Sequence, residues 1–315
     1  MSGIQGTNVL VTGGAGFIGS NLAEGLLKEG EVTVVDNFST GAIGNISALI
    51  NSGRIRFVEG DINDADLMKN VLKGKKYVFH VAAIPSAPKS INDLLKANEA
   101  NVTGTLKLLA AARDCGVEKV IFGSSSSVYG DTPTLPKDEG MVPNPMSPYA
   151  VTKLAGEHYC RIFTELYGLK TVALRYFSVY GPRQDPESEY ATVVPKFIKC
   201  ALKGVTMPIY GDGKQTRDFT FVKDVVRANV LAAESEATGV YNVSGGKRIT
   251  VKTLAEAVAK TAGTKVKVDY WPARAGDVRD SYADISHARG AFGYVPQYRL
   301  EQGLEETVSW FKGLS

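Results

Sequence analysis

The chain has 315 residues, 44% hydrophobic and 22% charged, with a formal net charge of +3. That size suits two unequal domains or one domain with an added lobe. The small net charge points away from nucleic acid and from membrane surfaces. No apolar run approaches the ~18 residues of a spanning helix, and MSGIQGTNVL at the start lacks the basic and apolar regions of a signal peptide. A cytoplasmic protein is expected.

Taken in order, the first half alternates short β-branched runs with amphipathic stretches. The segments NVLVT, VTVVD, IRFVE, YVFHVAA and KVIFGSS read as strands. Phe17 to Lys28, with Ile18, Leu22 and Leu26 on one face, and Ile91 to Cys115 read as helices. Continuous apolar strands joined by helix-sized crossovers predict a parallel sheet covered on both faces, a doubly wound α/β domain. After TVALRYFSVYG the alternation becomes irregular and Gly, Pro and charge increase. The predicted division is a Rossmann-type domain over 1–175 and a smaller mixed α/β lobe over 176–315, with the segment around 217–244 a candidate to return to the first domain.

Between the first strand and helix, VLVTGGAGFIGSNL sets Gly14, Gly16 and Gly19 in the G-x-G-x-x-G spacing, with Gly13 in addition. Glycines there permit a tight turn, close backbone approach to a pyrophosphate and strand–helix packing. Asp36 ends the second strand, where an acid accepts from a ribose hydroxyl and repels a 2′-phosphate; NAD is therefore expected over NADP. Asp36 is equally placed to cap its own loop. Asp61 and Ile62 end the third strand and are candidates for the adenine side.

In SPYAVTKLAGEHY, Tyr149 and Lys153 stand at i and i+4 and share a helix face. A phenol with its ordinary pKa near 10 is a poor base at neutral pH, but a neighbouring ammonium or nicotinium cation stabilises phenolate. The cysteines Cys115, Cys160 and Cys200 and the histidines His80, His158 and His287 are scattered, so neither a disulfide framework nor a metal site is expected.

TGGAGFIG, an upstream serine in GSSSSVYGD and Tyr-x-x-x-Lys occur in the order found in extended short-chain dehydrogenases/reductases, which the chain resembles over nearly its whole length. The resemblance implies Tyr149 as acid/base, Lys153 as its orienter and pKa tuner, and Ser125 as partner of the reacting oxygen. It assigns Gly13, Gly16, Phe17, Ile18, Gly19, Asp36, Asn37, Asp61, Ile62, Ala82, Asn101, Ser124, Tyr149, Lys153 and Tyr176 to cofactor binding. Three chemistries in this family begin with oxidation at C4 of a nucleotide sugar. A 4,6-dehydratase carries Asp and Glu directly before V-Y-G, and a decarboxylase keeps the Glu. Here those positions are Ser126 and Ser127, and a neutral hydroxyl cannot act as a carboxylate at pH 7. Oxidation followed by re-reduction from the other face, 4-epimerisation, is the expected reaction.

The second lobe, in RYFSVYGPRQDPESEYATVVPKF, IYGDGKQTRDFTFVKDV and RAGDVRDSYAD, resembles UDP-glucose/UDP-galactose 4-epimerases. By that resemblance Arg217 and Arg274 bind the diphosphate, Asp277 the uridine ribose, and Tyr210 lies beside the uracil; Ser86, Ser126, Ser178 and Val194 join Ser125 and Tyr149 in the substrate site. Ser178 departs from the family's usual Asn. Ser281 occupies the position where relatives restricted to plain hexoses carry a tyrosine, and its small side chain leaves room for a 2-acetamido group. A UDP-sugar substrate is expected, together with a homodimer packed through the helices of Asn92 to Cys115 and Pro148 to Tyr167. The competing expectations are a nucleotide-sugar dehydratase or reductase, and a non-catalytic NAD or nucleotide-sugar sensor.

Overall fold

A computed structural model describes residues 4–85, 87–185, 192–273 and 278–313. Residues Val9 to Val11 and Val32 to Val35 are almost wholly buried, as strands covered on both faces must be. The chain runs β1 (Thr7–Thr12), α1 (Phe17–Leu26), β2 (Gly30–Asp36), α2 (Ser47–Asn51), β3 (Ile55–Glu59), α3 (Ala65–Leu72) and β4 (Tyr77–His80). It continues through α4 (Ala87–Asn92), α5 (Leu94–Asn98), α6 (Gly104–Asp114), β5 (Lys119–Ser125), α7 (Pro148–Tyr167) and β6 (Lys170–Tyr176).

The remainder comprises β7 (Val179–Tyr180), α8 (Val193–Lys203), β8 (Met207–Tyr210), β9 (Thr216–Asp218), β10 (Thr220–Phe221), α9 (Val222–Glu234) and β11 (Gly239–Val243). Then come β12 (Arg248–Thr250), α10 (Val251–Ala262), β13 (Val268–Trp271), α11 (Ser286–Phe292) and α12 (Leu300–Lys312). Seven strands form one parallel sheet in the order β11-β6-β5-β4-β1-β2-β3. This is the expected doubly wound Rossmann-type architecture. Strand β11 lies at its edge beside β6, and α9 packs on α1, β5 and β6. Helices α8, α10 and α12 enclose a second core around Phe197, Ile198, Leu254, Val258 and Leu304.

Two expected elements differ in extent. The run YVFHVAA pairs only as far as His80, because Val81 to Ala83 turn out of the ladder to line a cleft. The stretch from Asn92 to Cys115 is not one helix but α5, a π-helical turn over Glu99–Thr103, and α6. Asp93 breaks it at the start by capping Lys96 N–H at 3.1 Å. The π turn then directs the Asn101 amide inward, where it accepts from Ile84 N–H at 2.8 Å and donates to Thr152 Oγ1 at 3.0 Å. Inserted turns of this type concentrate at functional sites.

Where the order reverses, with β2 on one side of β1 and β4 on the other, the carboxyl ends of the strands leave a crevice. Among the described residues no helix is long and apolar enough to cross a membrane.

Candidate active site

A cleft of about 550 Å³ opens along that crevice. One wall is the turn from β1 into α1. Gly13 there has φ +72°, and a Cβ on it would lie 2.6 Å from the Ala82 backbone. A Cβ on Gly19 would lie 2.1 Å from Gly13 O, so both positions require glycine. Helix α1 begins at Gly16 with no side-chain cap and no acidic residue in its first turn. Its free N–H groups and the positive end of its dipole therefore remain for an anion.

Asp36 forms the opposite lip. Its Oδ2 accepts from Ala15 N–H at 2.9 Å and its Oδ1 from Phe38 N–H at 2.8 Å. It thus caps its own loop and lines the cleft at once; each oxygen keeps a second lone pair for a ribose hydroxyl. Asn37 donates to Asp61 Oδ2 at 2.7 Å, joining the ends of β2 and β3 beside Ile62. A glycine cradle at a helix N-terminus and a ribose-facing carboxylate fit the diphosphate and adenosine of NAD.

The side chains expected to act in the reaction, Ser125, Tyr149 and Lys153, converge from β5 and α7. Ser147 caps α7 by accepting from Ala150 N–H at 3.2 Å, Pro148 occupies its first turn, and Gly168 ends it in the left-handed conformation at φ 71°. The Tyr149 N–H donates to the buried Ser90 Oγ at 2.9 Å, which fixes the start of α7 against α4. Ser125 ends β5 and caps the 3₁₀ turn Ser126–Tyr129. Its Oγ accepts from Ser127 N–H at 3.2 Å and from Ser127 Oγ at 2.9 Å, leaving its own proton for the Tyr149 oxygen, with which it is hydrogen-bonded.

Lys153 Nζ donates to Gly123 O at 2.7 Å and stands 5.8 Å from the Tyr149 ring centre. Burial pushes the Tyr149 phenol up to about 12, opposed only in part by the Ser125 hydrogen bond. Burial also pushes Lys153 down to about 8. The lowering of Tyr149 by Lys153, expected from the sequence, is thus not a property of the protein's own charges. Desolvation of both groups outweighs their attraction, because the ammonium is directed to the strand carbonyl.

All the predicted cofactor residues line the cleft except Asn101. Asn101 is buried, and its amide is used by Ile84 and Thr152. Since Thr152 Oγ1 donates to Tyr149 O at 2.8 Å, Asn101 also braces the start of α7. Val194 is 1% exposed within the core around α8.

Ser178 has φ +32°, a conformation that suits Asn better than Ser, and its carbonyl accepts from Thr220 N–H. Arg217 Nη1 donates to Thr216 O and to Arg279 O, at 2.8 and 3.0 Å. Ser281 N–H donates to Thr216 O, so Ser281 and Arg217 flank one residue of β9. Tyr210 ends β8, with its ring 5.8 Å from Trp271. Ser86, Arg274 and Asp277 lie outside the described residues. The cleft also has walls that no motif announced: Thr40 and Asn45 after β2, Lys89 on α4, Arg183, and Trp310 on α12.

The pattern of NAD dependent epimerase/dehydratases matches residues 9–244, which include every element of this cleft up to β11. The chain belongs to that family. Its cofactor is NAD. The UDP-glucose 4-epimerase of Mycolicibacterium smegmatis is 42% identical over 310 residues, 97% of this chain and 99% of its own. The UDP-N-acetylglucosamine 4-epimerase structure of Methanobrevibacter ruminantium, in complex with UDP-N-acetylmuramic acid, superimposes with a TM-score of 0.95 at 43% identity. It covers 99% of this chain and all of its own. The Thermus thermophilus UDP-glucose 4-epimerase with NAD gives 0.89 at 38% identity, with 98% and 100% covered. This chain is an enzyme of the epimerase/dehydratase family.

Proposed function

We propose that this protein is a 4-epimerase of UDP-hexoses, working through a transient 4-keto sugar. The observation that carries the reading is the composition of the reaction centre. Ser125 is hydrogen-bonded to Tyr149, and the two positions where a dehydratase needs carboxylates hold Ser126 and Ser127. Ser127 is moreover engaged in holding Ser125. NAD supplies the hydride acceptor and donor at C4. Tyr149 Oη takes the proton of the 4-hydroxyl and later returns it, while Ser125 donates to the same oxygen and limits the charge that builds on it. Without an acid/base at Ser126 or Ser127 the keto sugar has no route to elimination. Incubation with UDP-galactose is expected to give UDP-glucose, seen by NMR, with no net NADH; a 4-keto-6-deoxy product identifies a dehydratase instead.

The substrate range extends to 2-acetamido sugars in this reading. It rests on the small side chain of Ser281, whose N–H is bonded to Thr216 O of β9, and on the likeness to the Methanobrevibacter enzyme named for UDP-N-acetylglucosamine. UDP-N-acetylgalactosamine is expected to turn over within tenfold of UDP-galactose in kcat/KM, a difference of about 1.4 kcal/mol at most. No turnover of the acetamido sugar removes this extension and leaves the epimerase reading intact.

The working unit is a homodimer. Leu95 is 81% exposed on α5 and Leu166 71% exposed on α7, with Ile91, Leu94 and Val151 exposed on the same packed helices α4, α5 and α7. Such a clustered apolar surface fits a two-fold interface. Wild-type protein is expected to sediment as a dimer and Leu95→Glu/Leu166→Glu as a monomer. Monomeric wild type at micromolar concentration contradicts this.

A further inference from the structure

Behind the catalytic residues lies a buried ion pair that none of the foregoing chemistry uses. Glu157, on α7 one turn beyond Lys153, and Arg175, on β6, both have side chains 4% exposed. Arg175 holds Glu157 with two bonds, Nε to Oε1 at 2.9 Å and Nη2 to Oε2 at 2.7 Å. Ser124 Oγ donates to Glu157 Oε1 at 2.5 Å. The parallel register sets Ser124 opposite Arg175 and Ser125 opposite Tyr176. The guanidinium also lies 4.6 Å from the Tyr129 ring centre, at the end of the 3₁₀ turn that Ser125 caps.

We propose that Glu157 and Arg175 form the positioning unit of the reaction centre, locking the end of β5 against α7 and so setting the geometry of Ser125, Tyr149 and Lys153. A buried ion pair does not by itself stabilise a fold over an apolar pair of similar shape, so stability alone is a poor reason for this one. Its connections are specific instead. Glu157 reaches Ser125 through the adjacent Ser124, Tyr149 and Lys153 through one helix face, and Tyr176 and Tyr129 through Arg175.

The groups around Lys153 define its charge balance. On α7 these are Tyr149, Glu157 and Cys160, whose buried thiol is pushed up to about 12 and remains neutral. On β4 it is His80, pushed down to about 3 by burial and by Lys153 itself. On β6 they are Arg175 and Tyr176, the latter phenol raised by burial. Lys89 lines the same cleft from α4. Glu157 is the only carboxylate acting on Lys153 among these groups, and it favours the charged form.

The inference rests on the 4-epimerase reading for its assay, so wild-type turnover of UDP-galactose is the control that separates the two. Glu157→Gln keeps an acceptor for Ser124 but leaves Arg175 as an uncompensated cation near Lys153. The double variant Glu157→Gln/Arg175→Met removes both charges with little change in shape. In the double variant, kcat is expected to fall at least tenfold with KM within twofold. In Glu157→Gln, which removes only the negative charge, the alkaline limb of the kcat profile is expected to move to lower pH, since Lys153 loses its proton earlier. An ¹⁵N-lysine NMR titration of Lys153, which needs no turnover, is expected to move the same way. Ser124→Ala, which keeps the ion pair, is expected to lower kcat severalfold through Ser125 alone. A double variant with wild-type kcat overturns the proposal; should it not fold, wild-type kcat in Ser124→Ala together with an unmoved Lys153 titration in Glu157→Gln overturns it equally.

Discussion

Tyr149→Phe is expected to lower kcat for UDP-galactose by about 10²- to 10⁴-fold, the usual range for loss of a positioned acid/base. KM and the amount of bound NAD should change by less than about threefold, because uniform binding is untouched when only a transition-state interaction is removed. The structure favours so clean a result. The phenylalanine ring keeps the packing of Tyr149 under α4, and the bonds that start α7 are made by backbone and by Ser147 and Ser90, not by the phenol. Only the bond to Ser125 is lost. Ser125 is then free to turn toward Ser127, so Ser125→Ala in addition should cost little more: two residues acting as a unit are not additive. Thermal melts of the variant check that the fold is retained. Full turnover by Tyr149→Phe removes Tyr149 as the base and returns the NAD or nucleotide-sugar sensor to consideration.

How far the sequence foretold this site depended on whether each signal was local. β1, β2, β3 and β5 follow from short β-branched runs, and the α1 turn from glycines whose missing Cβ atoms the fold requires. Tyr149 and Lys153 were legible because helical spacing alone puts them on one face. The bracing bonds of Asn101 depend on a π turn inside an apparently continuous apolar helix, and periodicity does not reveal an inserted residue. Ser127 presented itself only as an absent carboxylate; its bonds to Ser125 arise from a 3₁₀ turn that the serine run does not announce. Lys89, Arg183 and Trp310 reach the cleft from three distant elements, and Glu157 on α7 gains its meaning from Arg175 on strand β6. Such pairings are made by tertiary packing and leave no spacing in the chain.

Lys153→Met is expected to abolish turnover and yet stabilise the protein, by about 2 kcal/mol at neutral pH without added NAD. Moving a lysine from its ordinary 10.5 to about 8 corresponds to about 3 kcal/mol of unfavourable charging in the folded state, at ~1.4 kcal/mol per pKa unit. Loss of the bond to Gly123 O returns about 1 kcal/mol of this, and methionine fills the same channel beside Phe122. The pH dependence distinguishes this cause from better packing. Below about 8 the lysine is protonated both folded and unfolded, and the folded wild type bears the full cost. Between about 8 and 10.5 the folded form is neutral while the unfolded form still binds a proton, so wild-type stability rises with pH. Above 10.5 both forms are neutral and the cost is gone. The advantage of Lys153→Met in denaturant unfolding should therefore be constant from pH 6 to 8 and shrink steadily toward pH 10.5. An advantage independent of pH would assign the gain to packing, and a destabilised variant would mean that the ammonium is well compensated where it lies. The expected outcome makes Lys153 a charge held in an unfavourable place for the sake of the reaction.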